Sequence, residues 1–166
     1  TIEDPIEFVY TSKKAMISQR EIMDDTMSFG AALRHAFRQD PNVVLLGEMR
    51  DRETMQTAIT LAETGHLTFS TLHTGQASQT ISRIVDSFPP HQQEMVRIQL
   101  ASSLAGIVCQ QLLALKDHQG RVAAREVLVV ARGIANLIRE NKLEQIATAI
   151  QTGSSDGMFT MNYSLG

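Results

Sequence analysis

The sequence predicts an α/β protein built around a parallel sheet. Two short apolar runs, residues 43–46 and 67–72, have the length and β-branched content of strands. Between them, residues 51–64 carry apolar side chains at helical spacing. A strand, a helix and a second strand in this order form a βαβ unit, whose crossover joins parallel strands. Short apolar and β-branched runs of this kind suit strands buried on both faces of a parallel sheet, and we expect both strands to be buried in that way.

The helix at residues 51–64 has a start and a stop signal. Asp51 can cap its first turn, and Gly65 can end its last. Its expected inward stripe comprises Met55, Ala58, Ile59 and Ala62. A second helix is predicted upstream, at residues 28–39, and the pair Asp40-Pro41 ends it.

The rest of the chain is predicted to combine short helices with one pair of strands. Helices are expected at residues 77–87, 91–104, 131–139 and 143–150, and strands at 107–115 and 121–130. A turn at residues 116–120 joins the two strands. From Gln151 the chain is rich in Gly and Ser, which favours a loop. We therefore assign residues 1–152 to one folded domain and 153–166 to a tail.

Composition narrows the classes of function. With 166 residues, the chain is long enough for one hydrophobic core, and its 43% hydrophobic and 20% charged residues are typical of a globular domain. The net charge of -3 gives no basic footprint, so no nucleic-acid partner is predicted. The single cysteine, Cys109, excludes an intramolecular disulfide and a four-cysteine zinc site. Without a signal peptide or an apolar run of membrane-spanning length, the chain is predicted to be cytoplasmic.

Three carboxylates follow the start of the chain, at Glu3, Asp4 and Glu7. In open α/β sheets, ligands bind at the carboxyl ends of the strands, and residues 1–5 have the pattern of a strand exit. Carboxylates this close repel one another unless a cation or a donor lies among them. A hydrated magnesium ion, or a water held for attack on a phosphate, would be such a partner. The alternative is a solvated acidic turn.

A second carboxylate site follows residues 43–46, where Gly47 and Glu48 end the apolar run. A buried strand that ends in an acid is the Walker B arrangement of nucleotide-hydrolysing P-loop proteins, in which the acid holds the magnesium of the outer phosphates. The acid is Glu rather than the more usual Asp. The alternative is a strand-end carboxylate satisfied by local hydrogen bonds.

Two histidines flank the second apolar run, His66 before it and His73 after it. If this strand lies beside the Glu48 strand, His73 emerges at the same edge of the sheet as Glu48. There it could donate to a γ-phosphate oxygen. The alternative for each histidine is a structural hydrogen bond. The other three histidines, His35, His91 and His118, are predicted to be surface residues.

Taken as a set, these motifs resemble those of the type II/IV secretion ATPase superfamily. The resemblance is to its Asp box, its atypical Walker B motif and its His box, carried in the right order by T-I-E-D-P-I-E-F-V at 1–9, G-E-M-R-D at 47–51 and A-E-T-G-H-L-T-F-S-T-L-H-T at 62–74. It extends over essentially the whole chain, through R-I-V-D-S-F-P at 83–89, N-L-I-R-E at 136–140 and Q-T-G at 151–153. Within the superfamily, the chain looks most like the motors that retract type IV pili.

The resemblance implies a role for each residue that matches a motif. Glu7 would orient or deprotonate the attacking water, and Glu48 would hold magnesium. Glu3 and Asp4 would complete an acidic nucleotide pocket. The two histidines, His66 and His73, would sense the nucleotide and link it to subunit movement. Three arginines are left open as phosphate contacts or subunit-boundary residues: Arg34, Arg38 and Arg50.

The resemblance also implies an architecture and a setting. The fold would be a RecA-like P-loop NTPase core, assembled as a homohexameric ring that hydrolyses ATP with Mg²⁺ and drives pilin disassembly for twitching motility. The partner would be a pilus platform protein of the bacterial inner membrane. The motor would lie at the cytoplasmic face of that membrane, peripherally and through its partners alone.

Two features depart from the family pattern. The segment G-I-A-N-L-I-R-E has Gly133 and Ala135 where the retraction signature A-I-R-N-L-I-R-E has Ala and Arg. The phosphate-binding pattern G-x-x-x-x-G-K-[ST] does not occur in the sequence. In the family that loop lies upstream of the Asp box, so we expect a core truncated on its N-terminal side and inactive by itself.

Two other functions remain open at this stage. One is an assembly or secretion ATPase of the same superfamily, although such relatives commonly carry a four-cysteine zinc module. The other is a non-hydrolysing interaction module with the same fold, for which a combined set of Glu7, Glu48, His66 and His73 is not needed.

Overall fold

The computed structural model describes residues 1–116 and 119–165. The chain divides into two compact units, Thr1–Leu72 and His73–Gly166. The predicted surface position of His118 lies outside the described residues. His35 and His91 are exposed, as predicted.

The first unit is a parallel four-stranded sheet with helices. Its elements are β1 (Ile2–Glu3), β2 (Arg20–Glu21), α1 (Phe29–Ala36), a 3₁₀ turn (Phe37–Gln39), β3 (Val43–Leu46), α2 (Arg52–Glu63) and β4 (Leu67–Ser70). The strand order is β2-β1-β3-β4, and every neighbouring pair is parallel. The predicted βαβ unit is therefore confirmed. β4 ends two residues earlier than the sequence indicated.

Among the described residues of the first unit, α1 and α2 pack on one face of this sheet. Val44 and Leu46 of β3 pack into a core with α1 and α2 that also contains Ile2, Ala32, Leu33, Ala58 and Leu61. Alternate strand residues point to the opposite face. There Val43 is 55% exposed, and Leu67 and Phe69 are each 52% exposed. The prediction of strands buried on both faces is wrong for this unit, because its helices pack on one side of the sheet.

The helix α2 begins and ends at its predicted signals, whereas α1 ends at Ala36 and continues as the 3₁₀ turn Phe37–Gln39 up to the predicted stop at Asp40. The Asp51 side chain accepts a hydrogen bond from Thr54 N at 2.9 Å and so caps α2. Gly65 follows that helix with φ of 94°, a left-handed conformation that favours glycine. Ser28 caps α1 in the same way, accepting from Ala31 N at 3.1 Å.

The second unit packs helices against an antiparallel hairpin. Its elements are α3 (Ala77–Asp86), α4 (Pro90–Ser103), β5 (Gly106–Ala114), β6 (Arg121–Val129), α5 (Arg132–Arg139), α6 (Ile146–Thr152) and α7 (Met161–Ser164), with 3₁₀ turns at Leu143–Gln145 and Ser154–Asp156. The hairpin pairs Gly106 with Val129 and Ala114 with Arg121. Cys109 is buried on β5, and its burial raises the pKa of the thiol.

The tail is ordered rather than a loop. Met158 is buried, and Phe159 exchanges two backbone hydrogen bonds with Val127 of β6, at 2.9 and 3.3 Å. Thr160 caps α7 by accepting from Tyr163 N. The prediction of a loop from Gln151 is wrong. The Gly- and Ser-rich composition gave no sign that Met158 is buried or that Phe159 pairs with Val127.

Candidate active site

Glu48 follows β3 in a backbone segment that is fixed on both sides. Gly47 N donates to the Ile2 carbonyl of β1 at 2.8 Å. The Thr71 hydroxyl donates to the Gly47 carbonyl at 2.5 Å, and Met49 N donates to the Thr71 carbonyl at 3.2 Å. The peptide groups before and after Glu48 are thus tied to the chain segments of the two neighbouring strands.

Gly47 allows the exit of β3 to lie close against β1. A Cβ atom at this position would lie 3.3 Å from Glu3 Cα and 3.5 Å from the Ile2 carbonyl oxygen. Both of these neighbours are backbone atoms, which cannot turn aside as a flexible side chain can. A residue without a side chain therefore keeps the two strand exits together.

The Glu48 carboxylate pairs with an arginine two residues further along the chain. Arg50 Nε donates to Glu48 Oε2 at 2.7 Å, and the Glu48 side chain is 21% exposed. The same guanidinium places Nη1 at 3.6 Å from Asp4 Oδ2. The hydrogen bond to Glu48 raises the pKa of Arg50. One cation therefore lies between carboxylates from two strand exits, which is the arrangement that close like charges require.

Glu3 has a different environment from Asp4. Its residue is 7% exposed, and its Oε1 accepts hydrogen bonds from Thr1 Oγ1 at 2.5 Å and from Gln19 Nε2 at 3.4 Å. Buried polar groups are normally hydrogen-bonded in this way. Glu3 thus has a structural set of partners, and its role in an acidic nucleotide pocket stays a prediction.

Glu7 is exposed and lies beyond the cis peptide bond between Asp4 and Pro5. The backbone before it is anchored, since Ile6 N donates to Glu21 Oε2 at 3.0 Å. Within residues 1–116 and 119–165, the Glu7 side chain makes no hydrogen bond or ion pair. The catalytic role of Glu7 stays a prediction.

His66 precedes β4, whereas Glu48 follows β3. Because these two strands are parallel, His66 lies at the amino ends of the strands, whereas Glu48 lies at their carboxyl ends. Its Nδ1 is 3.1 Å from Thr64 Oγ1 and 3.3 Å from the Leu61 carbonyl, at the end of α2. Its ring packs edge-on against Phe37, with centroids 5.9 Å apart. These contacts match the structural alternative, and nucleotide sensing by His66 stays a prediction.

His73 is the first residue of the second unit. It is exposed, and its carbonyl accepts a hydrogen bond from Arg83 Nη1 at 3.0 Å. Its predicted position at the Glu48 edge of the sheet, and with it a role in nucleotide sensing, stays a prediction.

The three arginines whose roles the sequence left undecided have different environments in the structure. Arg34 forms an exposed ion pair with Glu53 at 3.0 Å, and Arg38 is exposed. Arg50 contacts two of the predicted site residues. The sequence did not single out Thr71. Its hydroxyl reaches the Gly47 carbonyl only because β3 pairs with β4, and the sequence alone does not show that contact.

The described residues offer no ready-made metal cage. No group of three His, Cys, Asp or Glu side chains among them is placed to hold a metal ion. Magnesium usually keeps several waters and binds through one or two carboxylates together with substrate phosphates. Glu48, half-buried at a strand exit, fits magnesium in that mode, with waters and phosphates as the other ligands.

Comparison with known proteins gives consistent matches over nearly the whole chain. A sequence profile of the family described as "Type II/IV secretion system protein" matches residues 1–161. A "Twitching motility protein" of Neisseria gonorrhoeae is 54% identical over 165 residues, which are 99% of this chain and 44% of the relative. The "Type IV pilus retractation ATPase PilT" of Pseudomonas aeruginosa is 53% identical over 165 residues, which are 99% of this chain and 48% of the relative.

A solved structure matches equally well. The crystal structure of the pilus retraction motor PilT with bound ADP superposes with a TM-score of 0.90 at 53% identity, covering 99% of this chain and 46% of that one. The predicted α/β fold is therefore confirmed. The chain spans about half the length of the relatives that it matches.

Proposed function

The chain belongs to the family of type II/IV secretion system proteins, and from this membership we propose that it forms the hydrolytic part of an ATP-driven motor that retracts type IV pili. The names of two relatives at 53–54% identity, a twitching motility protein and a pilus retraction ATPase, support this choice. The observation that carries it is the Glu48 site. A carboxylate at the exit of a parallel strand is held at its backbone by two neighbouring segments and lies beside a second carboxylate.

The chemistry of this site is that of phosphoryl transfer to water. Such reactions need little covalent chemistry from the protein and depend on positioning and on charge stabilisation. Glu48 would hold the magnesium ion of the nucleotide, and such an ion would supply positive charge beside the outer phosphates. Glu7 orients or deprotonates the attacking water, Asp4 and Glu3 complete the acidic pocket, and His66 and His73 respond to the nucleotide.

The chain supplies one half of such a site. The glycine-rich loop whose backbone N–H groups and lysine cradle phosphates has no counterpart in this sequence. We therefore expect the complete protein to turn over ATP and this chain by itself not to do so. The bound ADP in a solved relative is consistent with nucleotide use in the family.

The proposed assembly is a homohexamer that acts on an inner-membrane pilus platform protein from the cytoplasmic side. Among the described residues, every helix is too short or too polar to cross a membrane. Attachment to the membrane is proposed to run through that platform protein alone.

Phosphate release with ATP and Mg²⁺ tests the hydrolytic role. The complete protein is expected to release phosphate continuously, and this chain alone to release none above a heat-treated control. Turnover by this chain alone contradicts the role of the missing loop. An inactive complete protein contradicts the proposed function.

Pilus counts test the direction of force. Deleting the gene for a retraction motor leaves cells with excess pili, because assembly continues unopposed. Deleting the gene for an assembly motor leaves cells without pili. Cells without pili would contradict retraction and would favour the assembly ATPase.

A further inference from the structure

Thr71 binds the residues on both sides of Glu48. Its hydroxyl donates to the Gly47 carbonyl at 2.5 Å, and its own carbonyl accepts from Met49 N at 3.2 Å. Gly47 N is held in turn by the Ile2 carbonyl at 2.8 Å. The three hydrogen bonds leave little freedom in the peptide groups that flank Glu48.

The bond from the hydroxyl extends the sheet beyond its backbone ladder. The ladder between β3 and β4 ends where Leu46 pairs with Ser70. Beyond that pair, Met49 N donates to the Thr71 carbonyl, and the Gly47 carbonyl accepts from a side chain. Only Ser and Thr carry a hydroxyl on Cβ, within reach of such a carbonyl.

The hydroxyl bond contributes little to folding. Thr71 is exposed, and water can satisfy an exposed carbonyl that loses its partner, so the net stabilisation is small. What water cannot supply is a fixed direction. The hydrogen bond therefore fixes the orientation of the peptide group that precedes Glu48. The half-buried Glu48 carboxylate is held in addition by Arg50.

We propose that Thr71 is a positioning residue for Glu48. Thr71 fixes the peptide groups around Glu48, and Arg50 orients the carboxylate, so that the acid is aligned before nucleotide arrives. This inference rests on the proposed function, since it assigns Thr71 to the same site.

Replacing the hydroxyl tests the proposal in the complete protein. Thr71→Val keeps the shape of the side chain and removes the donor, whereas Thr71→Ser keeps the donor. We expect Thr71→Val to lower kcat about tenfold with KM for ATP changed less than about twofold, because misplacing a catalytic group slows chemistry more than it weakens binding. Thr71→Ser should stay within about threefold of wild-type kcat.

A matched control separates this effect from the loss of any threonine hydroxyl. Thr57 Oγ1 donates to the Glu53 carbonyl within α2. Thr57→Val should leave kcat unchanged. Wild-type kcat in Thr71→Val, or an equal fall in Thr71→Val and Thr71→Ser, would overturn the positioning role.

A second readout on this chain does not depend on activity. The Glu48 amide belongs to the same peptide group as the Gly47 carbonyl, so its NMR resonance reports the hydrogen bond from Thr71. That resonance should move in Thr71→Val and keep its position in Thr71→Ser and Thr57→Val. An unmoved resonance overturns the proposal. A moved resonance with an inactive wild-type complete protein refutes the proposed function alone.

Discussion

The two strand exits that carry the predicted catalytic carboxylates are built differently. After β3, Glu48 lies in a segment held by hydrogen bonds to Ile2 and Thr71, and its side chain pairs with Arg50. After β1, Glu7 is exposed, and within the described residues its side chain has no hydrogen bond or ion pair. The two exits belong to adjacent parallel strands of one sheet.

This difference fits the different roles proposed for the two acids, since only one of them requires a fixed position before substrate binds. An acid that holds magnesium benefits from a position fixed in advance, because the ion then meets a ligand already in place. An acid that handles the attacking water can tighten its hydrogen bonds when substrate is bound, and long or absent contacts without substrate do not exclude such a role. We infer that the exit of β3 is ready before nucleotide binds, and that nucleotide completes the exit of β1.

The largest expected effect comes from Glu7→Gln in the complete protein. If Glu7 is the base or the orienting group, kcat should fall about 100-fold or more, since positioned proton transfer contributes roughly that much. ATP binding should change little, because Gln keeps the size and polarity of the side chain. Steady-state phosphate release and nucleotide affinity measure the two parts separately.

Asp24→Asn is the control, because Asp24 is an exposed acid in the turn after β2. It should leave kcat unchanged. Wild-type turnover in Glu7→Gln would remove Glu7 from the catalytic role and leave Glu48 as the acid on which the comparison depends.

Glu48→Gln should act on magnesium rather than on the water. Gln still accepts a hydrogen bond from Arg50, but it lacks the charge that attracts the ion. We expect the Mg²⁺ concentration for half-maximal ATPase rate to rise about tenfold, the scale seen when groups that support a metal are changed. A magnesium titration of the complete protein measures this rise.

The matched control is Glu53→Gln, since Glu53 pairs with Arg34 on the exposed surface of the same unit. Its magnesium titration should follow the wild type. An unchanged magnesium requirement in Glu48→Gln would show that the fixed exit of β3 serves another purpose.

Gly47→Ala tests how closely the two exits must approach. The added methyl group would lie 3.3 Å from Glu3 Cα, so the backbone has to move. We expect a loss of about 1 kcal/mol in the free energy of unfolding, in the range of overpacked sites. Urea denaturation of this chain measures it.

Gly75→Ala gives the comparison for that change, because a Cβ at Gly75 meets nothing within 4 Å. It should leave stability within about 0.5 kcal/mol of wild type. Equal effects of the two substitutions would mean that the exits of β1 and β3 have room between them.

The smallest effect is expected at the end of β4. Ser70 Oγ is buried and has no hydrogen-bond partner among the described residues. Ser70→Ala removes an unsatisfied group and should leave the unfolding free energy within about 0.5 kcal/mol of wild type, or raise it. Thermal and urea denaturation measure the change.

A satisfied hydroxyl provides the contrast. Thr54 is buried, and its Oγ1 donates to Asp51 Oδ2 at 2.8 Å, so Thr54→Val should cost about 1 kcal/mol. A similar cost for Ser70→Ala would mean that the Ser70 hydroxyl makes a stabilising contact in the folded chain.

Most of the fold was predictable from the sequence, because its signals are local. β3 begins and ends where its four apolar residues do, and α2 is bounded by Asp51 and Gly65. The tail was mispredicted because its order depends on a long-range pairing, that of Phe159 with Val127. The exposure of Val43, Leu67 and Phe69 was also not predicted, because an apolar strand sequence does not show whether other elements pack on each face of the strand.

The candidate site was predictable in its residue types and less so in its geometry. The strand-end rule pointed to Glu48 and Asp4, which the structure joins through Arg50. It could not separate Glu3 from Asp4, because the direction of each side chain depends on partners such as Gln19 that lie far along the chain. It also could not single out Thr71, whose hydrogen bond exists only once β4 pairs with β3.

Hydrogen–deuterium exchange at the two strand exits of the complete protein tests the central contrast most directly. Without nucleotide, the amides of Gly47 and Met49 should exchange slowly, because both donate to backbone carbonyls, and the Glu7 amide should exchange fast. Addition of Mg²⁺ with a non-hydrolysable ATP analogue should slow exchange at Glu7 and change little at Gly47 and Met49. Equal exchange at the two exits without nucleotide, or no response at Glu7, would contradict the account.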